Sequence, residues 1–387
     1  TDWNGDLIIG RQSGSNIITE KWTDKPQSQA VGLIHIETAD MDFGNPAIID
    51  IIDAFTSTYK SSAAQTNPIS YALDGTDTWT AISTNFSVAE IWAKYLAEPT
   101  AFNCNTIRLR IMNPTVDVLE QRIAGLEGGI AALCVSAGSA AVNYSILNIA
   151  VAGDNIVSTP QLYGGTYTLF AHMLPSLGID VKFADSSDAS DIEKLIDDKT
   201  KAVFCESIGN PAGNITDLEA IAKAAHSKGI PVIVDNTVAT PVLTNPIDYG
   251  VDIVVHSLTK YIGGHGTTLG GAIVDSGKFP WEKHKDRFPM MNTPEPAYHG
   301  IVYNEAFGPA AYIARARTVA LRNTGSALSA MAAFQILQGL ETLSLRMERH
   351  CDNAIAVAEY LENHKKVSWV QFGGLKSSEY HDLAKKY

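Results

Sequence analysis

Two residues in this chain are placed to do chemistry together, a lysine and an aspartate that each follow a short apolar run. Lys260 lies within VDIVVHSLTKYIGGHGTTLGG, Val251 to Gly271. VDIVVHS is apolar and β-branched and runs into polar and Gly-rich residues, the pattern of a buried parallel strand that delivers side chains to a sheet edge. Ligands of open α/β sheets bind at the carboxyl ends of such strands. Ser257 and Thr259 put hydroxyls beside the amine, suited to a phosphate, while Gly263, Gly264 and Gly266 let backbone or ligand approach closely. A lysine held there can form an imine. The plain alternative is a solvated lysine that happens to follow a strand.

The acid lies in PVIVDNT, Pro231 to Thr237, a second apolar strand pattern that ends at Asp235, 25 residues before Lys260. One strand-and-loop excursion separates them, so both side chains can reach the same sheet edge. That pair suits pyridoxal phosphate (PLP): the lysine carries the cofactor as a Schiff base, and the aspartate keeps the pyridine nitrogen protonated so that the ring accepts carbanion charge. A helix or turn cap is the alternative for Asp235.

The elements that would position the pair alternate along the chain. Asn113-Pro114-Thr115 opens a helix with Leu119, Ile123 and Leu126 at helical spacing and Gly128-Gly129 as its stop. Ala131 to Val135 reads as a buried strand feeding SAGSAAV, where Gly138 and Ser139 precede a helix carrying Val142, Ile146 and Ile149 on one face. A glycine turn at a helix N-terminus binds phosphate through its unpaired amides and the helix dipole, although many such turns bind nothing. Strand 155–158, helix 166–177 and strand 181–184 follow. Ser190 with Glu193 then forms a capping box, 202–205 is a strand, and Thr216 with Glu219 forms a second box. Gly229 and Pro231 end that helix before the Asp235 strand. This alternation predicts an α/β fold, a mainly parallel sheet with helices on both faces. GHGTTLG has the wrong glycine spacing for a dinucleotide fingerprint and no helix pattern after it, which excludes a Rossmann reading.

After the strand that follows Gly271, the segment from PWEKHKDRFP to AFGPAAY reads as loop-rich, and 327–361 as one long helix with interleaved acids and bases. Residues 1 to about 100 show no sustained period, with helical candidates at 46–55 and 89–96.

At 387 residues, 45% apolar and 18% charged, the chain has the composition of a globular enzyme of two or three domains. Its 42 acidic against 29 basic residues give a net charge of −13, which argues against nucleic acid or an anionic membrane as partner. No apolar run approaches the ~20 residues needed to span a bilayer. The four cysteines, Cys104, Cys134, Cys205 and Cys351, show no metal-ligand pairing, so no metal site is expected. They read as reduced thiols. TDWNGDLIIGRQSG lacks the basic and apolar regions of a signal peptide, so the expected location is cytoplasmic.

RIMNPTVDVLEQRIAGLEGG, LYGGTYTLF, CESIGNPAGNITDLEAIA, VDNTVATP, SLTKYIGGHGTTLGG, YNEAFGPAAYIARAR and LQGLETLSLRMERH occur in this order. Together they resemble the Cys/Met-metabolism group of PLP enzymes, which has the aspartate-aminotransferase-like fold (PLP-dependent transferase fold type I), and within it the O-acetylhomoserine sulfhydrylase branch. The resemblance covers roughly residues 105 to 387. It implies a PLP-binding sheet domain at 101–276 and a connecting helix with an incomplete, smaller C-terminal domain at 277–387, while the patternless residues 1–100 read as an N-terminal arm or small domain.

By the same resemblance Lys260 is the Schiff-base lysine and Asp235 the partner of the pyridinium nitrogen. Gly138, Ser139, Ser257 and Thr259 match the phosphate cradle. Tyr163 matches the aromatic that stacks on the ring and assists proton transfer; a buried strand-end tyrosine is its alternative. Asn210, before Pro211, matches an asparagine near the ring hydroxyl. Arg110 matches an arginine that reaches a neighbouring subunit's cofactor phosphate, implying a homotetramer, a dimer of dimers, with shared active sites. A surface arginine is the alternative there. Arg108 stands where the family usually has a tyrosine, and SAMAAF, Ser329 to Phe334, stands where sulfhydrylases typically read SPFNAF. The arginine that holds a substrate carboxylate is expected beyond Tyr387. The implied activity is γ-replacement, in which the acetate of O-acetyl-L-homoserine gives way to sulfide and homocysteine forms. A γ-lyase, a cystathionine γ-synthase and a non-catalytic PLP-binding protein are the alternatives.

Overall fold

The structure, a computed structural model, describes residues 114–387 and, before them, the backbone of six strands. The chain divides into two compact units, Thr1–Thr115 and Val116–Tyr387. In the first, β1 (Ile8–Ser13) and β2 (Asn16–Lys21) form an antiparallel pair. β3 (Phe55–Ser57), β4 (Ser70–Leu73), β5 (Thr80–Ala81) and β6 (Ile107–Arg110) form a sheet in the order β3-β6-β4-β5. The helical candidate 89–96 lies outside the described residues, as does 46–55 apart from Phe55, which opens β3.

The second unit is built on seven strands: β7 (Ala131–Val135), β8 (Asn155–Ser158), β9 (Asp180–Phe183), β10 (Thr200–Glu206), β11 (Val232–Asp235), β12 (Ile253–Ser257) and β13 (Gly271–Asp275). Their order is β7-β13-β12-β11-β10-β8-β9. Every pairing is parallel except those of β13, which runs antiparallel to both β12 and β7. The carboxyl ends of β7, β12, β11, β10 and β8 therefore lie along one edge.

Alternate residues of the central strands enter two separate cores. Val203 and Cys205, Val232 and Val234, and Val254 pack with Leu119, Ile123, Leu218, Ile221 and Ile336 from helices on one face. Phe204, Ile233 and Val255 pack with Val142, Ile146, Phe170 and Tyr312 on the other. A strand buried on both faces needs an unbroken apolar run, which VIV and IVV supply. Each fully buried Val or Ile contributes roughly 1.5–3 kcal/mol, so the sheet edge rests on a rigid base.

The expected fold holds, with local corrections. Helix Pro114–Glu127 buries Leu119 and Ile123 completely but leaves Leu126 42% exposed. Helix Ala189–Leu195 is preceded by Asp188 rather than capped by Ser190, and the hydroxyl of Ser186 takes the amide of Asp188. Helix Leu218–Ser227 is capped by Asp217, whose carboxylate accepts the Ala220 amide at 3.2 Å. Thr216 is unavailable as a cap because it is tied to the end of β10, its hydroxyl donating to the Glu206 carbonyl at 2.6 Å. The segment expected to be loop-rich carries short helical turns at Trp281–His284, Pro289–Asn292 and Tyr303–Phe307.

The long helix expected over 327–361 is two helices, Ala330–Leu340 and Leu343–Glu362. They part where the Gly339 carbonyl is taken by the Thr342 hydroxyl and the Arg346 guanidinium. Cys134, Cys205 and Cys351 are free thiols, the first two buried. Among the described residues no helix is long and apolar enough to cross a membrane.

Candidate active site

Five strand ends bring the candidate residues to one edge. β7 leads through Ser136 and Ala137 into helix Gly138–Leu147. Ala137 is extended and offers no side-chain cap, so the first amides of the helix are left for another acceptor. The turn lies so close to β12 that a Cβ on Gly138 would come within 2.6 Å of the Ser257 Cβ. A Cβ on Gly271 would fall 2.2 Å from the Ala137 carbonyl oxygen. Only glycine allows this approach, which sets the Ser257 hydroxyl beside an uncapped, exposed helix start at Ser139. A phosphate fits there: free amides, the positive end of a ten-residue helix and a hydroxyl.

Beyond β12 the chain turns at once, with the Lys260 amide on the Ser257 carbonyl and the Gly264 amide on the Lys260 carbonyl. Lys260 is exposed. Its amine has no hydrogen bond or ion pair among the described residues. The Thr259 hydroxyl is engaged elsewhere, donating to the Gly270 carbonyl and accepting the Gly270 amide, so it closes the 260–269 loop. Arg346 braces the same loop from the Leu343–Glu362 helix by donating to the carbonyls of Tyr261 and Ile262.

Asp235 ends β11 in register with Val255 of β12 and Glu206 of β10. Oδ1 accepts both the amide of Thr237 at 3.0 Å and its hydroxyl at 2.5 Å. Oδ2 is left without a protein partner among the described residues. Burial raises the Asp235 carboxyl above the ordinary aspartate range, while the Thr237 bonds and the nearby His256 pull it down. An acid so held can face a cationic nitrogen, which would favour its ionised form.

Glu206, at the end of β10, is 4% exposed. It accepts the Tyr163 amide on Oε1 at 2.6 Å and the Asn210 amide on Oε2 at 3.1 Å. Burial first, then repulsion from Asp235, raises its carboxyl to about 8 against the pull of those two amides. Tyr163 precedes helix Gly164–Thr168 and is 49% exposed. Asn210, exposed, enters a cis peptide bond with Pro211.

The edge thus gathers Lys260, Asp235, Gly138, Ser139, Ser257, Tyr163 and Asn210, and turns the hydroxyl of Thr259 into its own loop. Arg110 closes β6 in the first unit, and its side chain lies outside the described residues. Sequence reasoning missed Glu206 and Thr237. Glu206 had a signal, an acid ending an apolar strand as Asp235 does.

The Cys/Met metabolism PLP-dependent enzyme family matches residues 83–387. The chain belongs to this family. A Kluyveromyces lactis homocysteine/cysteine synthase is 56% identical over 279 residues, covering 72% of this chain and 63% of that protein. A Schizosaccharomyces pombe homocysteine synthase is 56% identical, with 72% and 65% covered. The chain therefore spans just under two thirds of the length of these curated relatives. A solved Campylobacter jejuni structure carrying N'-pyridoxyl-lysine-5'-monophosphate superposes with a TM-score of 0.69 at 43% identity, covering 74% of this chain and 70% of that one. The O-acetylhomoserine sulfhydrylase of Wolinella succinogenes gives 0.63 at 39% identity, with 71% and 76% covered. PLP is the family's cofactor, and the Lys260 amine, the half-buried, half-satisfied Asp235 and the uncapped helix start fit its aldehyde, ring nitrogen and phosphate.

Proposed function

We propose that this protein replaces the γ-acetate of O-acetyl-L-homoserine with sulfide, giving L-homocysteine and acetate. The observation that carries the reading is the convergence of a Lys260 amine with no partner among the described residues and a half-buried Asp235 on the edge that also holds the uncapped helix start at Gly138. The names of the Kluyveromyces lactis and Schizosaccharomyces pombe relatives, each 56% identical, support homocysteine as the product, and that of the Wolinella succinogenes O-acetylhomoserine sulfhydrylase supports the acyl substrate and sulfide.

PLP, when bound, supplies the electron sink that lets an amino acid lose its Cα proton. The amides of Gly138 and Ser139 and the hydroxyl of Ser257 would bind its phosphate. Asp235 would hold the proton on the ring nitrogen, with Thr237 occupying Oδ1. Asn210 would orient the ring hydroxyl and Tyr163 would cover the ring. Thr259 acts through the loop it closes and keeps Lys260 in place. The Lys260 Nζ would take the Cα proton and then a proton from Cβ, so that acetate leaves Cγ with the bonding pair; hydrosulfide would then add at Cγ, with protons returned to Cβ and Cα. Arg110 of a neighbouring subunit completes the phosphate site, so the reading includes a homotetramer with shared sites, a cytoplasmic location and a smaller domain beginning near residue 277.

The test is an assay of the PLP-loaded protein with O-acetyl-L-homoserine, with and without sulfide. Homocysteine formed only with sulfide is expected. Release of ammonia at equal rate without sulfide would instead identify a γ-lyase.

A further inference from the structure

We propose that Glu206 is a positioning residue of this site, setting Tyr163 and Asn210 against the cofactor by holding the backbone amide of each with one oxygen of a single carboxylate. The inference rests on the PLP reading of the sheet edge. Glu206 and Asp235 are Cα partners on adjacent parallel strands, so their side chains leave the sheet on the same side. Asp235 serves the ring nitrogen, and Glu206 ties the two segments that flank it.

The two amides come from different places. Tyr163 follows β8 by five residues, and Asn210 follows β10 by four. No side chain caps helix Gly164–Thr168, and the 2.6 Å bond from the Tyr163 amide to Oε1 fixes where that helix starts. The 3.1 Å bond from the Asn210 amide to Oε2 fixes the turn before Pro211. Two donors facing one buried group require two acceptors. A carboxylate provides them and a glutamine does not, since its NH2 only donates.

The location makes a purely structural carboxylate costly. Glu206 is buried and feels the charge of Asp235, and both effects push it toward protonation. A protonated carboxyl would carry a donor where an N–H points at it. The bonds to Tyr163 and Asn210 pull the other way without cancelling the rise, and each oxygen faces an N–H whose hydrogen bond it can only accept.

The experiment compares the parent with Glu206→Gln by amide hydrogen exchange in the PLP-free protein, by the visible spectrum of the PLP-loaded protein and by steady-state kinetics. The variant should keep its far-UV circular dichroism and still be labelled at Lys260 by borohydride. Exchange should rise roughly tenfold or more at the Tyr163 or Asn210 amide alone, the visible band should shift, and kcat should fall about tenfold with little change in KM. Glu206→Asp keeps both oxygens but draws them back; it should show the same changes to a smaller degree, and it replaces the glutamine variant if that one does not fold. Parent-like exchange at both amides with a parent-like spectrum would overturn the proposal. So would faster exchange spread evenly over the second unit, which would mark Glu206 as a folding residue. A parent that binds PLP at Lys260 but makes no homocysteine would sink the sulfhydrylase reading, while exchange and spectrum would still decide the part played by Glu206.

Discussion

Thr237 and Asp235 share a hydrogen bond of 2.5 Å from hydroxyl to Oδ1, and the same hydroxyl oxygen accepts the Ser257 amide at 2.8 Å. One threonine thus links the acid proposed to serve the ring nitrogen to the strand end proposed to serve the phosphate. Burial raises the Asp235 carboxyl, and the Thr237 hydroxyl is the largest influence lowering it. Thr237→Val keeps the shape and removes the bond, so the carboxyl should rise further. A hydrogen bond to a charged group contributes ~1.5 kcal/mol, or roughly one pH unit. Because the ionised form is the active one, the acid limb of kcat/KM should move to higher pH by about that amount. An unmoved limb would show that Thr237 does not control Asp235.

Asp235→Asn should fold but lose most activity, because a neutral amide no longer holds the ring nitrogen protonated. Loss of ~3 kcal/mol of transition-state stabilisation corresponds to roughly a hundredfold in kcat. Activity within a few-fold of the parent would remove Asp235 from this role.

Lys260→Ala should abolish the covalent attachment of PLP. Borohydride reduction of the parent followed by peptide mapping should place the pyridoxyl group on Lys260, and reduction of the variant should yield no labelled peptide. A label on any other lysine of the parent would overturn the central assignment.

Beneath the same edge lies a fully buried ionisable pair. The ring Nε2 of His256 lies 2.6 Å from Glu127 Oε1, both side chains are inaccessible to solvent, and Asn236 donates to the same oxygen at 3.0 Å. Asn236 also accepts the Ser207 hydroxyl at 2.8 Å, so this network joins the ends of β10, β11 and β12 to helix Pro114–Glu127. Glu127→Ala strands the buried His256 and removes one of the acceptors of Asn236, and should cost about 3 kcal/mol or more in urea denaturation. Arg122→Ala, which breaks the solvent-exposed pair with Glu341, should cost under about 1 kcal/mol. Equal losses would deny the buried network its structural weight.

Much of this edge is legible in the sequence because its strands are short, β-branched and buried on both faces, and each ends abruptly in the residue that matters: Asp235, Ser257, or the turn to Gly138. Local pattern reports these ends well. It does not report β13, which enters antiparallel between β7 and β12, since strand order depends on pairings between distant segments. Nor does it reveal that Thr259 turns to Gly270, or that Glu206 spans Tyr163 and Asn210, because those contacts exist only once the loops have closed. Helix caps fail for a related reason. Ser190 and Thr216 match the capping pattern, but Thr216 is claimed by the Glu206 carbonyl and the neighbouring Asp217 caps in its place.

Arg110 is the residue whose test reaches beyond a single chain. It ends β6, in the first unit and outside the strand-helix alternation that builds the PLP edge, and family resemblance assigns it to the cofactor phosphate of a neighbouring subunit. Arg108 stands two residues earlier on the same strand. Arginine binds phosphate through a charged, planar fork, and losing the correct one should weaken PLP affinity measurably. Arg110→Ala and Lys260→Ala should each be inactive. In oligomers that exchange subunits, a mixed pair holds one site with both defects and one with neither, so part of the parent activity should return on mixing. Mixed oligomers verified by mass that stay as inactive as either parent would show that Arg110 acts within its own chain or not at all, and the shared site would have to be abandoned.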